Sequence, residues 1–257
     1  MATISVATLN LNGWRDHWLV RRGLLVAEIL DVLPDMISLQ EVYRPNEQAR
    51  WLRNQINSRL TGTSRGPYQL IQRRKRNLLQ GLFEGIAILT RLPVLSHDHF
   101  SLGYGGDLAL RVNVELPTRE SLDFVAIKMN QRTGEQEARL EQVLKLQGWL
   151  QDRDIAPLRV IAGDFGESPT GLAISQMEQA YRSVFKEVRG QELIATYPTA
   201  LASTANDQSA CLDYIFLSPA VSGVLDAHLF CKKPSIEDPC LYPSNHIGLL
   251  ATLDINH

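Results

Sequence analysis

The sequence predicts an α/β protein in which two β-sheets pack face to face, each covered outside by helices, in one domain spanning residues 1–257. Two observations carry this expectation. Helix-like and strand-like segments are mixed along the chain, with strands in runs, which is neither a regular strand–helix–strand repeat nor an all-β pattern. Hydrophobic residues make up 44% and charged residues 21%, the balance of a globular chain that buries a real core.

The elements follow in order. "ISVATLNL" (4–11) alternates and reads as a strand. "LVRRGLLVAEILDVL" (19–33) carries Leu25, Ile29 and Val32 at helical spacing, with Arg21, Arg22, Glu28 and Asp31 as its charged residues. "DMISLQEV" is a short buried strand, and residues 45–60 are helical in pattern. Five strand-like segments come next: "YQLIQR", "GIAILT", "VLSHDHFSL", "LALRVNVEL" and "LDFVAIKM". The helix "EQEARLEQVLKLQGWL" places Leu140, Val143 and Leu144 on one face, and Glu141 supports Lys145 at i+4. "LRVIAGDF" reads as a buried strand and 170–181 as a short helix. "CLDYIFL", "GVLDAHLF" and "IGLLATLDI" close the chain as strands.

The formal net charge is −2, which does not favour a dedicated nonspecific nucleic-acid binder. Cys211, Cys231 and Cys240 are an odd, irregularly spaced set and read as reduced thiols. No basic, apolar leader opens the chain, and no window approaches the ~20 apolar residues of a membrane span. The expectation is a cytoplasmic protein without a membrane span, and a monomer.

Polar groups recur at strand ends: Asn10 and Asn12 in "TLNLNG", Glu41 in "SLQEV", Asp164 in "AGDF", Asp213 in "CLDYIF" and Asn245-His246 in "SNHIGLL". Each alone fits a turn, a cap or a strand end emerging to solvent. Together they form the oxygen-rich set that a hard divalent cation needs. His97-Asp98-His99 is a separate arrangement able to chelate a transition metal, but it sits in a strand-like stretch without other local ligands.

These pieces resemble the endonuclease/exonuclease/phosphatase superfamily, the deoxyribonuclease-I-like fold. In family order, they are "ATLNLNGW", "RRGLLVAEILDVLPDMISLQEV", "EGIAILTRLPV", "EARLEQVLKLQGWL", "VIAGDFGESP", "ATYPT", "CLDYIFLS" and "SNHIGLLATL", over roughly residues 3–255. The resemblance implies a four-layer α/β/β/α sandwich and a metal-dependent phosphoester hydrolase, a phosphodiesterase or nuclease-like enzyme. It implies Glu41 as the main ligand of Mg2+ (or Mn2+), with Asn10 beside it. Asp164 is implied to orient or deprotonate the attacking water, and Asp213 to hold His246 in one tautomer. Asn12 and Asn245 are implied to face the substrate phosphate or the metal, and Lys128 reads either as a substrate-binding cation for the phosphate or as a strand-end lysine reaching to water.

Three positions depart from the family pattern. Gly166 stands where the family has the Asn of G-D-F-N, Asn245 where it has the Asp of S-D-H, and Lys128 where many members carry a phosphate-contacting His. The retained carboxylates and His246 favour a working hydrolase with an altered substrate or lowered rate. The alternative is a catalytically lapsed member that binds a phosphate-containing ligand or a protein partner. The expected substrate is nucleic acid or a small phosphodiester. The basic run "QRRKRN" (72–77) reads as a solvated loop or an anion-steering rim, and Trp14, Trp18, Tyr43 and Tyr104 as stacking surfaces or packing residues.

Overall fold

The computed structural model describes residues 2–75, 83–103, 107–129, 132, 134–152, 156–201 and 208–256. Two six-stranded mixed sheets form its centre. In the first, β11 (Gly223–Phe230), β12 (Gly248–Asp254), β1 (Thr3–Asn10), β2 (Met36–Tyr43), β4 (Glu84–Thr90) and β3 (Gln69–Arg74) lie side by side in that order. The second runs β5 (Val94–Gly103), β6 (Asp107–Glu115), β7 (Ser121–Lys128), β8 (Leu158–Asp164), β10 (Asp213–Leu217) and β9 (Arg182–Ser183). Each sheet holds one parallel pair, β1 with β2 and β7 with β8.

Alternation along β1 explains how the sheets stack. Ile4 and Val6 join the core between the sheets, whereas Ala7 and Leu9 face outward. The outer face of the first sheet is covered by α1 (Trp18–Val32) and α2 (Gln48–Leu60), whose Leu25, Ile29, Leu52 and Ile56 pack there. On the second sheet, α3 (Gln136–Gln151) and α4 (Leu172–Glu178) extend the main core through Val143, Leu146, Ile174 and Met177. This is the expected sandwich.

The predicted elements all appear among the described residues, with two additions and two revisions. β9 and α5 (Val184–Arg189) are too short, at two and six residues, to register as periodic patterns. The inward face of α3 is rotated from the predicted one: Arg139, Gln142, Val143, Leu146 and Leu150 are buried, while Leu144 is exposed. Two polar side chains spend that face on ion pairing and hydrogen bonding, Arg139 with Glu167 and Gln142 with Asp107, so apolarity alone points the wrong way. Arg21, read from sequence as one of the charged residues of α1, is fully buried.

Candidate active site

The alternation that packs the sheets also delivers the site. On the inner face of β1, the apolar Ile4 and Val6 give way to Thr8 and Asn10, so the core turns polar toward one edge. Ser38 and Gln40 of β2 meet that edge: Gln40 Nε2 donates to Thr8 Oγ1, and Ser38 Oγ crosses to the second sheet and donates to the carbonyl of Ala162. Strict alternation would then put Glu41 on the outer face with Ile37 and Leu39. A bulge prevents this. The register of β2 against β4 shifts between Leu39 and Val42, and Glu41 adopts φ 49°. Val42 then takes the outward place beside Leu39. A non-glycine residue in this left-handed region costs on the order of 1–3 kcal/mol, a strain concentrated at functional sites.

From the second sheet come Lys128 and Asp164, the paired last residues of β7 and β8, and Asp213, which opens β10 directly opposite Asp164. Asn10 Nδ2 donates to Glu41 Oε1 at 3.1 Å and to Asp164 Oδ2 at 2.8 Å, tying the two sheets together. Lys128 Nζ lies 2.9 Å from Asp164 Oδ2 and 3.3 Å from Glu41 Oε1. The Gly166 N–H donates to Asp164 Oδ1 at 2.9 Å. His246 Nδ1 lies 2.8 Å from Asp213 Oδ2, which also accepts from Thr196 Oγ1 at 2.7 Å. His246 Nε2 stands 4.0 Å from Asp164 Oδ2. Asp213 Oδ1 is buried with no hydrogen-bond partner among the described residues.

The expected site residues are therefore brought together, and Glu41, Asn12, Asn245 and His246 line one cleft of about 770 Å3. Asn12 sits at φ 56°, donating its backbone N–H to Asn10 Oδ1. Asn245 Oδ1 accepts from Ser244 Oγ at 3.4 Å.

Electrostatics follow from this packing. Burial would raise the Glu41 carboxyl, but Lys128 and the Asn10 amide outweigh it and hold it at about 2. Burial would lower Lys128, yet Asp164 and Glu41 push it up. Burial likewise works against a charged His246, and Asp213, Asp164 and Glu41 together raise it. Burial pushes Asp213 up, against the pull of His246 and Thr196. At neutral pH, Glu41 is ionised and Lys128 charged.

Several supporting residues lie in the matching sequence segments, but their roles become visible only in the packing. Arg21 donates to the carbonyls of Leu11, Gly13, Arg15, Asp16 and Pro243, clamping the loop that holds Asn12 and Arg15. Burial lowers its guanidinium to about 10. Ser244 Oγ donates to the Asn10 carbonyl at 2.6 Å and accepts the His246 N–H, joining the histidine loop to β1. Arg139 pairs with Glu167 at 2.8 Å behind the Asp164 loop. The ring of Tyr197 lies 4.9 Å from that of His246.

Trp14, Tyr43 and Phe83, outside the cleft lining, form a row with ring centroids 5.8 and 6.2 Å apart; Trp14 is next in the chain to Arg15, which does line the cleft. Arg15 lies 3.0 Å from Glu84 and 3.7 Å from Glu41. Trp18 is instead a core residue packed edge-on against Trp51, and Tyr104 lies outside the described residues. In the basic run, residues 72–74 belong to edge strand β3 and Lys75 pairs with Asp107; the final two residues lie outside the described set. In the His97-Asp98-His99 segment of β5, Asp98 pairs with Arg111 at 3.0 Å.

Among the described residues, the metal-type donors that cluster most clearly are Asp164, Asp213 and His246, with ligand atoms within 4.8 Å of one another. Those atoms are largely committed to each other, to Asn10, to Lys128 and to Gly166, as an acid–base group would be. Glu41 suits a hard cation better: it is ionised and lines the cleft, with Arg15, 3.7 Å from its Oε2, as the competing charge on that side. One carboxylate suffices for Mg2+, which keeps most of its waters.

Fold and site together define a deoxyribonuclease-I-like α/β sandwich. The chain belongs to the endonuclease/exonuclease/phosphatase family, whose model matches residues 7–246. Members of that family are typically phosphoester hydrolases and generally use divalent metals. Solved structures of similar fold include an endonuclease/exonuclease/phosphatase from Bacteroides vulgatus (17% identity, 100% of each chain, TM-score 0.78). Truncated Caenorhabditis elegans TDP2 (15% identity, 98% of this chain and 97% of that one) also has a TM-score of 0.78. The human Nocturnin catalytic domain, with bound sulfate, shares 19% identity over 98% and 93%, with a TM-score of 0.76. No curated protein matches at the sequence level. Among the described residues, no helix is long and apolar enough to cross a membrane.

Proposed function

We propose that this protein is a metal-dependent phosphoester hydrolase acting on a phosphodiester. The observation that carries the reading is the meeting of Asn10, Glu41, Asp164, Asp213 and His246, from distant parts of the chain, in one hydrogen-bonded cluster whose Glu41 and His246 line the cleft. Glu41, with Asn10 beside it, would hold Mg2+ or Mn2+, which supplies Lewis-acid activation of a phosphoryl oxygen when bound. The chain's own groups do the rest. Asp164, held by the Gly166 N–H, Asn10 and Lys128, would orient the attacking water and accept its proton. The 4.0 Å between His246 Nε2 and Asp164 Oδ2 suits one water hydrogen-bonded to both. Asp213 accepts from the His246 Nδ1–H and favours the charged ring, whose Nε2–H would then donate toward phosphate. Asn12 and Asn245 line the phosphate path.

For the substrate, the aromatic row Trp14, Tyr43 and Phe83 beside Arg15 supports a nucleic-acid strand, because bases stack on such rings while a guanidinium meets phosphate. A fish TDP2 of the same fold has been solved with a single-stranded DNA product. Hydrolysis of a nitrophenyl phosphodiester and of a fluorescent DNA oligonucleotide, with Mg2+ or Mn2+, tests the reading. Turnover should be lost in Glu41→Ala and in His246→Ala. Wild-type turnover no higher than that of a Glu41→Ala/His246→Ala double variant would count against the hydrolase reading and favour the lapsed alternative.

A further inference from the structure

We propose that the Lys128 ammonium is a resident cation of the acidic cluster, tethered where it competes with a divalent ion for Glu41 and Asp164 and keeps metal binding weak. The inference rests on the hydrolase reading for its catalytic meaning, while the metal affinity it concerns is measurable without turnover.

Sheet register places the lysine. Lys128 and Asp164 are paired residues of the parallel strands β7 and β8, so their side chains leave the sheet on the same face. The flanks are pinned: the Met129 N–H donates to the Asp164 carbonyl, and a Cβ on Gly163 would lie 2.2 Å from the Ile127 carbonyl oxygen. Only 4% of the Lys128 side chain is exposed, and its head group is held by both carboxylates. Its contact with both carboxylates follows from where the backbone puts it.

The donor set agrees. Asp164 Oδ2 already receives Asn10 and Lys128, and its Oδ1 receives the Gly166 N–H. Glu41 Oε1 receives Asn10 and faces Lys128. Asn10 turns its amide N–H2, not its carbonyl, toward both acids, and its carbonyl takes the Asn12 N–H. A divalent ion approaching this group meets mainly Glu41 Oε2, with a fixed positive charge behind the carboxylate and Arg15 in front. Like charges at such range in a poorly solvated site repel strongly, so the ion must displace the ammonium or bind loosely beside it.

The test is isothermal titration with MgCl2 and MnCl2 of wild type, K128M and K128M/E41Q. K128M is expected to bind metal at least about tenfold more tightly than wild type, with the gain lost in K128M/E41Q. Removing a buried cation from between two carboxylates can unfold the chain, so melting curves are taken with and without Mg2+. A larger rise in Tm for K128M than for wild type, or folding of K128M only when Mg2+ is present, supports the proposal. Equal or weaker metal binding in K128M overturns it. If K128M folds under neither condition, wild type decides: saturation at micromolar Mg2+ overturns the proposal, and none below millimolar supports it. Absence of nitrophenyl diester turnover in the same wild-type sample rejects the hydrolase reading and leaves the metal titration to decide on Lys128.

Discussion

Replacing Asp213 with Asn keeps the shape of the side chain and removes its charge, which isolates what the carboxylate does for His246. The ring nitrogen Nδ1 sits 2.8 Å from Asp213 Oδ2, and both groups are buried. A hydrogen bond to a charged partner is worth about 1.5–3 kcal/mol in such a setting. His246 in D213N should therefore titrate at lower pH than in wild type. The sign also shows in stability. His246 is raised in the folded chain, so its contribution is complete below the unfolded value of about 6.5 and is lost as pH rises through the folded value. The raised Asp213 carboxyl acts in the same direction from about 3.9 upward, and D213N removes it too. NMR titration of the His246 ring in both proteins, with H246A to assign the signal, measures the shift. Urea unfolding across the same pH range should show a flatter profile for D213N. An unmoved His246 titration would refute the view that Asp213 keeps the imidazole charged.

Two other changes probe the departures and the scaffold. Gly166→Asn with Asn245→Asp restores a donor and a metal-side charge; Gly166 sits at φ 62°, which Asn tolerates, so the rate on a nitrophenyl diester should rise by roughly tenfold or more. An unchanged or lower initial rate would mean that the cleft is built for other chemistry. Arg21→Lys cannot reproduce a fork spread over five carbonyls, and urea unfolding should show about 2–3 kcal/mol lost, with turnover falling as the Asn12–Arg15 loop loosens.

Strand ends were the legible part of this molecule. Alternation in "ISVATLNL" and the apolar run of "LRVIAGDF" locate β1 and β8, and the polar residues closing them, Asn10 and Asp164, meet at 2.8 Å. Glu41 was found by motif, but its aim was not readable: period-two patterning turns it away from the cleft, and only the bulge at Leu39–Val42 turns it back. Arg21 and Arg139 look like solvent-facing charges in a helical pattern, because Arg21's partners are backbone carbonyls of irregular loops and Arg139's is a glutamate 28 residues away. Lys128 stood out as a substitution, whereas its contact with Glu41 required the packing of one sheet on the other.

That packing has an operational consequence. Asn10, Glu41 and the Ser244–His246 loop hang from one layer, Lys128, Asp164 and Asp213 from the other, and Ser38 rivets the two through Ala162. The cluster thus works as a gauge of the gap between layers. A swollen state that kept every strand but let the gap widen would pull the acids from their partners, so chemistry should fail at milder denaturation than far-UV circular dichroism detects.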